Sequence, residues 1–234
     1  MKKALTLLPL MLALAGVCTL ARAQDAKAGD AARGAQKAAM CIGCHGITGY
    51  QASFPEVYKV PKISGQGGKY IASALQAYQK GDRKHPSMKA IAATLSDQDI
   101  ADLSAYYEQQ GKGDATSAKL EALEAKAPAA PAALKDKLAA CVACHGDNFS
   151  KPIDPTYPRL AGQHADYLYA ALKAYATDGN PHIGRANAVM RGQLVAEADG
   201  KKKLTFTHAE MKEVSKWIAS LPGDLKTVEQ PRLR

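Results

Sequence analysis

The sequence predicts an all-α protein built as two tandem domains, and three observations carry that expectation. First, Pro61, Gly65, Gln66, Tyr70, Leu75 and Tyr78 recur as Pro158, Gly162, Gln163, Tyr167, Leu172 and Tyr175, each 97 positions later. Repetition on that scale is a duplicated domain rather than a chance match. Second, apolar residues recur at helical spacing near the end of each copy: Ile100, Leu103, Tyr106 and Tyr107 in one, Met211, Val214, Trp217 and Ile218 in the other. Third, no stretch shows the sustained apolar–polar alternation of a half-buried strand.

The elements follow in order. Residues 1–23 combine Lys2 and Lys3, an apolar run and the small-x-small ending Ala21-Arg22-Ala23, the pattern of an export signal cleaved after Ala23. A lipid anchor on Cys18 is disfavoured, because Val17 stands where lipoprotein processing wants a small residue. Residues 24–116 read as the first domain: a helix, the motif CIGCHG, an irregular loop, a second helix, a further loop and a last helix. Residues 117–131 are rich in Ala, Lys, Glu and Pro and read as a linker with one short helical turn. Residues 132–234 repeat the plan. The last helix of each copy opens on a hydroxyl followed three residues later by an acid, Ser96 with Asp99 and Thr207 with Glu210, which is the pattern of a capping box.

Loss of Lys2, Lys3 and Arg22 with the signal would leave +6 of the formal +9. Basic residues are scattered, so no nucleic-acid partner is expected. Four of the five cysteines lie in Cys41-Ile42-Gly43-Cys44-His45 and Cys141-Val142-Ala143-Cys144-His145, which leaves none for a structural disulfide. Four thiolates could in principle hold zinc, but that would merge the repeats and leave both histidines without a task. A thioredoxin-type pair would need a βαβ context that is not visible. Cys-x-x-Cys-His is the attachment signal for haem c. Cysteines three apart lie about one helical turn apart and can reach two vinyl groups, and the next residue, histidine, then sits beneath the iron. The following glycine is expected to keep a side chain off the ring. A composition of only 6% aromatic residues also suits domains whose apolar centre is a macrocycle.

With these motifs, the Pro-x-x-x-Gly-Gln stretches and a methionine near the third helix of each copy, the chain resembles the dihaem cytochromes c known as cytochrome c4. The resemblance covers nearly all of the chain after the signal and implies two class I cytochrome c folds, each around one covalent haem c. It implies that the carbonyls of Pro61 and Pro158 accept the ring N–H of His45 and His145. Gly34 lies where the family places a glycine for close helix contact, whereas the second copy has Leu134, so the helix crossing there should differ.

The distal ligands are expected to be Met88 and Met190, 44 and 46 residues beyond Cys44 and Cys144 in equivalent polar loops. Met40 adjoins Cys41 and cannot cross to the other face. Met211 aligns with Ile100 on an apolar helix face and reads as core. His85 and His182 are the weaker competitors; His164 and His208 mark helix starts. The stretch GQLVAEADGKKKL adds nine residues to the second copy and reads as a surface insertion. Tyr70, Tyr78, Tyr167 and Tyr175 read as half-buried helix residues, with hydrogen bonding to haem propionates as the alternative. Arg83, Lys84 and Lys89 beside Met88, with Arg185 and Arg191 beside Met190, are expected to form a docking edge for an acidic partner.

The expected activity is single-electron transfer by a monomeric periplasmic carrier, without catalysis of its own. By resemblance the donor is a quinol-oxidising bc complex or a dehydrogenase, the acceptor a terminal oxidase, and contact with the membrane peripheral. A dihaem peroxidase, a thiosulfate-oxidising cytochrome or a fixed subunit of a larger enzyme are the alternatives.

Overall fold

The computed structural model describes residues 28–111 and 122–229. The expected signal peptide and the first part of the linker lie outside them. In the first domain α1 (Ala31–Lys37) is capped by Asp30, whose carboxylate accepts the N–H groups of Ala32 and Arg33. Helix α2 (Ala39–His45) carries the first cysteine motif. A short β1–β2 ribbon (Gln51–Ala52, Tyr58–Lys59) leads to α3 (Gly68–Lys80), which ends on Gly81 at φ 83°. After β3 (Arg83–Lys84) come α4 (Pro86–Ala93) and α5 (Asp97–Gln109).

The second domain opens on a 3₁₀ turn, Ala132–Leu134, running into α6 (Lys135–His145) with the second motif. Then follow α7 (Ala165–Ala176), β4 (Gly184–Arg185), α8 (Ala188–Leu194), a β5–β6 hairpin (Val195–Ala198, Lys201–Leu204) and α9 (His208–Ser220). Both capping boxes form, Ser96 with Asp99 on α5 and Thr207 with Glu210 on α9. Among the described residues no helix is long and apolar enough to cross a membrane.

Two local expectations change. The loops expected to hold Met88 and Met190 are short helices, with each methionine at the third helical position. The nine-residue insertion is a β-hairpin turning at Asp199 and Gly200, both with positive φ. Asp-Gly is a residue pair suited to such a turn. The hairpin is exposed and paired only with itself, so the all-α core is unaffected.

The two domains build their centres differently. In the first, α1 crosses α5 at very short range. A Cβ on Gly34 would stand 2.1 Å from the Asp102 carbonyl oxygen, so only glycine fits without displacement. Asp102, 3% exposed, also accepts from Asp30 N–H and from Arg33 Nε and Nη2. In the second domain Leu134 replaces that glycine and is buried in the core with Leu138, Phe149 and Ile218. The side chain fills the space that the first domain closes by backbone contact. Part of the expected linker belongs to this domain as well: Ala127 and Ala130 pack on its core, and the Trp217 indole donates to the Pro128 carbonyl at 3.0 Å.

The domains meet through reciprocal contacts. Strands β3 and β4 pair antiparallel across the boundary, with Arg83 opposite Arg185 and Lys84 opposite Gly184. Both arginines stand five residues before a methionine, so each pairs with its own counterpart in the repeat.

Candidate cofactor sites

Each site starts on a motif helix. Cys41, Cys44 and His45 close α2, and Cys141, Cys144 and His145 close α6. All four cysteines are unpaired and half-buried. Among the described residues no group of three or more His, Cys, Asp or Glu could hold a metal, so the two cysteine pairs do not converge on a zinc site. The His45 Nδ1 donates to the Pro61 carbonyl oxygen at 2.8 Å, and His145 Nδ1 to that of Pro158 at 3.0 Å. Fixing the proton on Nδ1 leaves Nε2 as the basic nitrogen. Burial depresses the pKa of both rings and the proline carbonyls offset this only in part, so both imidazoles are neutral at neutral pH, the form that binds a metal.

The glycine after each histidine has a nearer reason than the ring. A Cβ on Gly46 would meet Ile42, and one on Gly146, at φ 79°, would lie 2.3 Å from the Lys151 carbonyl oxygen. The chain's own backbone demands glycine there.

Met88 lines one cavity with Cys41, Cys44 and His45; Met190 lines another with Cys141, Cys144 and His145. Each methionine's backbone is fixed by a cap. The His85 imidazole accepts from Met88 N–H at 3.3 Å, and the Asn187 side-chain oxygen Oδ1 from Met190 N–H at 2.9 Å. His85, a competitor for the iron on sequence grounds, lines the same cavity and uses its Nδ1 as the cap of α4. The other competitor, His182, is exposed and rests edge-on against Phe54. Met211 is fully buried among the core residues of the second domain.

Arg83 and Arg185 border both cavities. Arg83 donates to the hydroxyls of Tyr70 (3.3 Å) and Tyr167 (3.4 Å), Arg185 to those of Tyr167 (3.1 Å) and Tyr175 (3.5 Å). The guanidiniums also lie over tyrosine rings, at 4.7 Å for Arg83 and Tyr78. Among the described residues neither forms an ion pair, and Arg83 Nε is buried with no partner.

A model described as Cytochrome c matches residues 31–110 and again 132–222. The chain is 36% identical over 202 residues to cytochrome c4 of Azotobacter vinelandii, a match covering 82% of this chain and 90% of that one. The chain belongs to the cytochrome c4 family of dihaem cytochromes c. The crystal structure of a reduced recombinant cytochrome c4 from Pseudomonas stutzeri shares the fold at a TM-score of 0.56, with 29% identity, covering 83% of this chain and all of that one. A protein named thiosulfate dehydrogenase electron acceptor, from Stutzerimonas stutzeri, is 34% identical over 201 residues, covering 79% of this chain and 91% of its own.

This cytochrome is therefore an electron-transfer protein with two covalently bound haems c, one for each Cys-x-x-Cys-His motif. The residues present fit the group. The cavities are mainly apolar and carry the thiols and a neutral imidazole at one wall. A buried guanidinium, Arg83, with an unpartnered Nε, and the half-buried one of Arg185, both without a carboxylate, suit a cofactor that brings its own carboxylates, as haem does with its propionates. When bound, haem supplies a one-electron Fe(III)/Fe(II) couple.

The same arrangement corrects the expected docking edge. Arg83 is 9% exposed and Arg185 half-buried, both at the domain boundary. Lys84 Nζ donates across it to the Asn180 carbonyl at 2.8 Å, and Arg191 is held by Asp178 at 2.6 Å. Lys89 is exposed. Arg83, Lys84 and Arg185 serve the contact between domains because the repeat brings β3 and β4 together there, whereas Arg191 is held within the second domain. The repeat itself was the signal: matched arginines in matched positions can meet across a two-fold relation.

Proposed function

We propose that this cytochrome is a periplasmic single-electron carrier between respiratory complexes, with His45 and Met88 as the axial ligands of one iron and His145 and Met190 of the other. The observation that supports this most is the duplicated wall of each cavity: a histidine fixed through Nδ1 by a proline carbonyl, and a methionine held at the third position of a capped helix. Two thioethers of this kind give six-coordinate haems with raised potentials and little need to rearrange between oxidation states. The protein's own part is to exclude water, fix the imidazole tautomer and hold each methionine. The shared border of the two cavities supports electron exchange inside the molecule.

A quinol-oxidising bc complex or a dehydrogenase is the proposed donor and a terminal oxidase the acceptor. Relatives named thiosulfate dehydrogenase electron acceptor favour a thiosulfate dehydrogenase as a second donor. The test is stopped-flow reduction of the purified dihaem protein by each donor, followed by reoxidation with membranes. Rapid reduction and reoxidation, with spectra unchanged by peroxide, is the expected result. Turnover of peroxide or thiosulfate by the isolated protein would replace the carrier reading with an enzyme.

A further inference from the structure

The proline carbonyls that hold the two histidines belong to peptide units whose other end is held by the opposite domain. The Pro61–Lys62 peptide offers its carbonyl to His45 Nδ1 at 2.8 Å, and its N–H, on Lys62, donates to Gln163 Oε1 at 2.9 Å. The Pro158–Arg159 peptide offers its carbonyl to His145 Nδ1 at 3.0 Å, and its N–H, on Arg159, donates to Gln66 Oε1 at 2.9 Å. Each glutamine closes the pair by donating from Nε2 to the carbonyl of the same residue: Gln66 to Arg159 at 3.0 Å and Gln163 to Lys62 at 2.9 Å. Both glutamines are 4% exposed. Both are held by their own turns, since Gln66 N–H donates to the Ile63 carbonyl and Gln163 N–H to that of Leu160, each at 3.1 Å.

We infer that Gln66 and Gln163 are cross-domain positioning residues, each tuning the proximal histidine of the other domain's haem through one shared peptide unit. A peptide is planar and conjugated, so a hydrogen bond accepted from its N–H polarises its carbonyl and also fixes the direction in which that carbonyl points. A more polarised carbonyl draws more strongly on the imidazole N–H, which makes the other ring nitrogen a better donor to iron. Better donation favours the oxidised state. Loss of the Gln66 oxygen should therefore weaken the His145 bond and raise the potential of the second domain's haem. Loss of the Gln163 oxygen should do the same to the first domain's haem. The relay couples the two redox centres without any ligand of either iron crossing the boundary.

The relay rests on His45 and His145 being proximal ligands, which low-spin optical spectra test separately. The experiment uses the full-length dihaem protein with ¹⁵N-labelled histidine, comparing Gln66→Ala, Gln163→Ala and Gln66→Glu. Lys173→Ala is the control, because the Lys173–Glu56 ion pair also spans the domains but touches neither peptide. The readouts are hydrogen exchange at each proximal Nδ1–H in the reduced state and the potential of each haem by NMR-monitored titration. Gln66→Ala should speed exchange at His145 about fivefold and raise that haem's potential, leaving His45 near its parent value. Gln163→Ala should give the mirror pattern. Gln66→Glu, which restores an acceptor oxygen, should return the second haem toward the parent. Lys173→Ala should change neither. Effects confined to the same domain as the substitution, equal effects on both haems, no effect at all, or identical behaviour of Gln66→Ala and Gln66→Glu would each overturn the relay.

Discussion

The two methionines that compete for the second iron differ in what surrounds them. Met190 is partly buried, lines the cavity of Cys141, Cys144 and His145, and has its N–H fixed by Asn187. Met211 is fully buried against Val214 and Ile218, as Ile100 is in the first domain. Met190→Ala should thus abolish the methionine–iron charge-transfer band of one haem and sharply lower its potential, as read by near-infrared absorption and redox titration. Met211→Leu should keep both bands and cost under about 1.5 kcal/mol in denaturant unfolding, since it nearly conserves volume. The cap has its own consequence. Asn187→Ala should destabilise α8 by about 1 kcal/mol and make the band of the same haem more sensitive to heating.

At the scale of elements, the crossing of α1 and α5 concentrates the first domain's strict requirements. Gly34→Ala would put a methyl group 2.1 Å from a carbonyl oxygen, so the helices must separate. Overpacking of this kind costs about 1–3 kcal/mol, and thermal denaturation should show it. Asp102 locks the same crossing. Hydrogen bonds from the Arg33 guanidinium, with those from Asp30 N–H and Gln98, hold its carboxyl well below the ordinary 3.8. A depressed folded value means that this stabilisation is complete above pH 3.8 and is lost as the pH falls through the lower folded value. Asp102→Asn should lower stability at pH 7 by about 1–3 kcal/mol and flatten the acid limb of the stability curve. In the second domain Leu134, buried in the core, stands in place of that glycine, so the requirement of Gly34 has no counterpart at the same position.

The whole molecule is unequal in how much apolar core its side chains provide. Among the described residues, the main buried cluster of the first domain is Ala38, Ile71, Leu103 and Tyr107, whereas that of the second includes Leu134, Phe149, Phe206, Met211, Ile218 and six more. Haem attachment should therefore matter more to the first domain. Replacing both cysteines at Cys41 and Cys44 by serine should leave that domain largely unprotected in hydrogen exchange, while the same change at Cys141 and Cys144 should leave partial protection in α7 and α9. Equal loss in both would mean that side-chain core size does not set the dependence on the cofactor.

The sequence by itself determined what short stretches of chain can carry. Cys-x-x-Cys-His, the two capping boxes and the amphipathic last helices each need only neighbours within a few residues, and all are present as helices with the expected ends. The 97-residue repeat disclosed the two domains. Tertiary structure decided what depends on residues about 100 positions apart. Arg83 and Arg185 looked like surface charges because nothing in their local sequence shows that β3 and β4 pair across the boundary. Likewise, Gln66 and Gln163 were visible as matched letters, but their bonds to Arg159 and Lys62 exist only after docking. Local propensity and covalent spacing are written along the chain. The desolvation of a charge and the partner of an amide are fixed only when distant segments close around them.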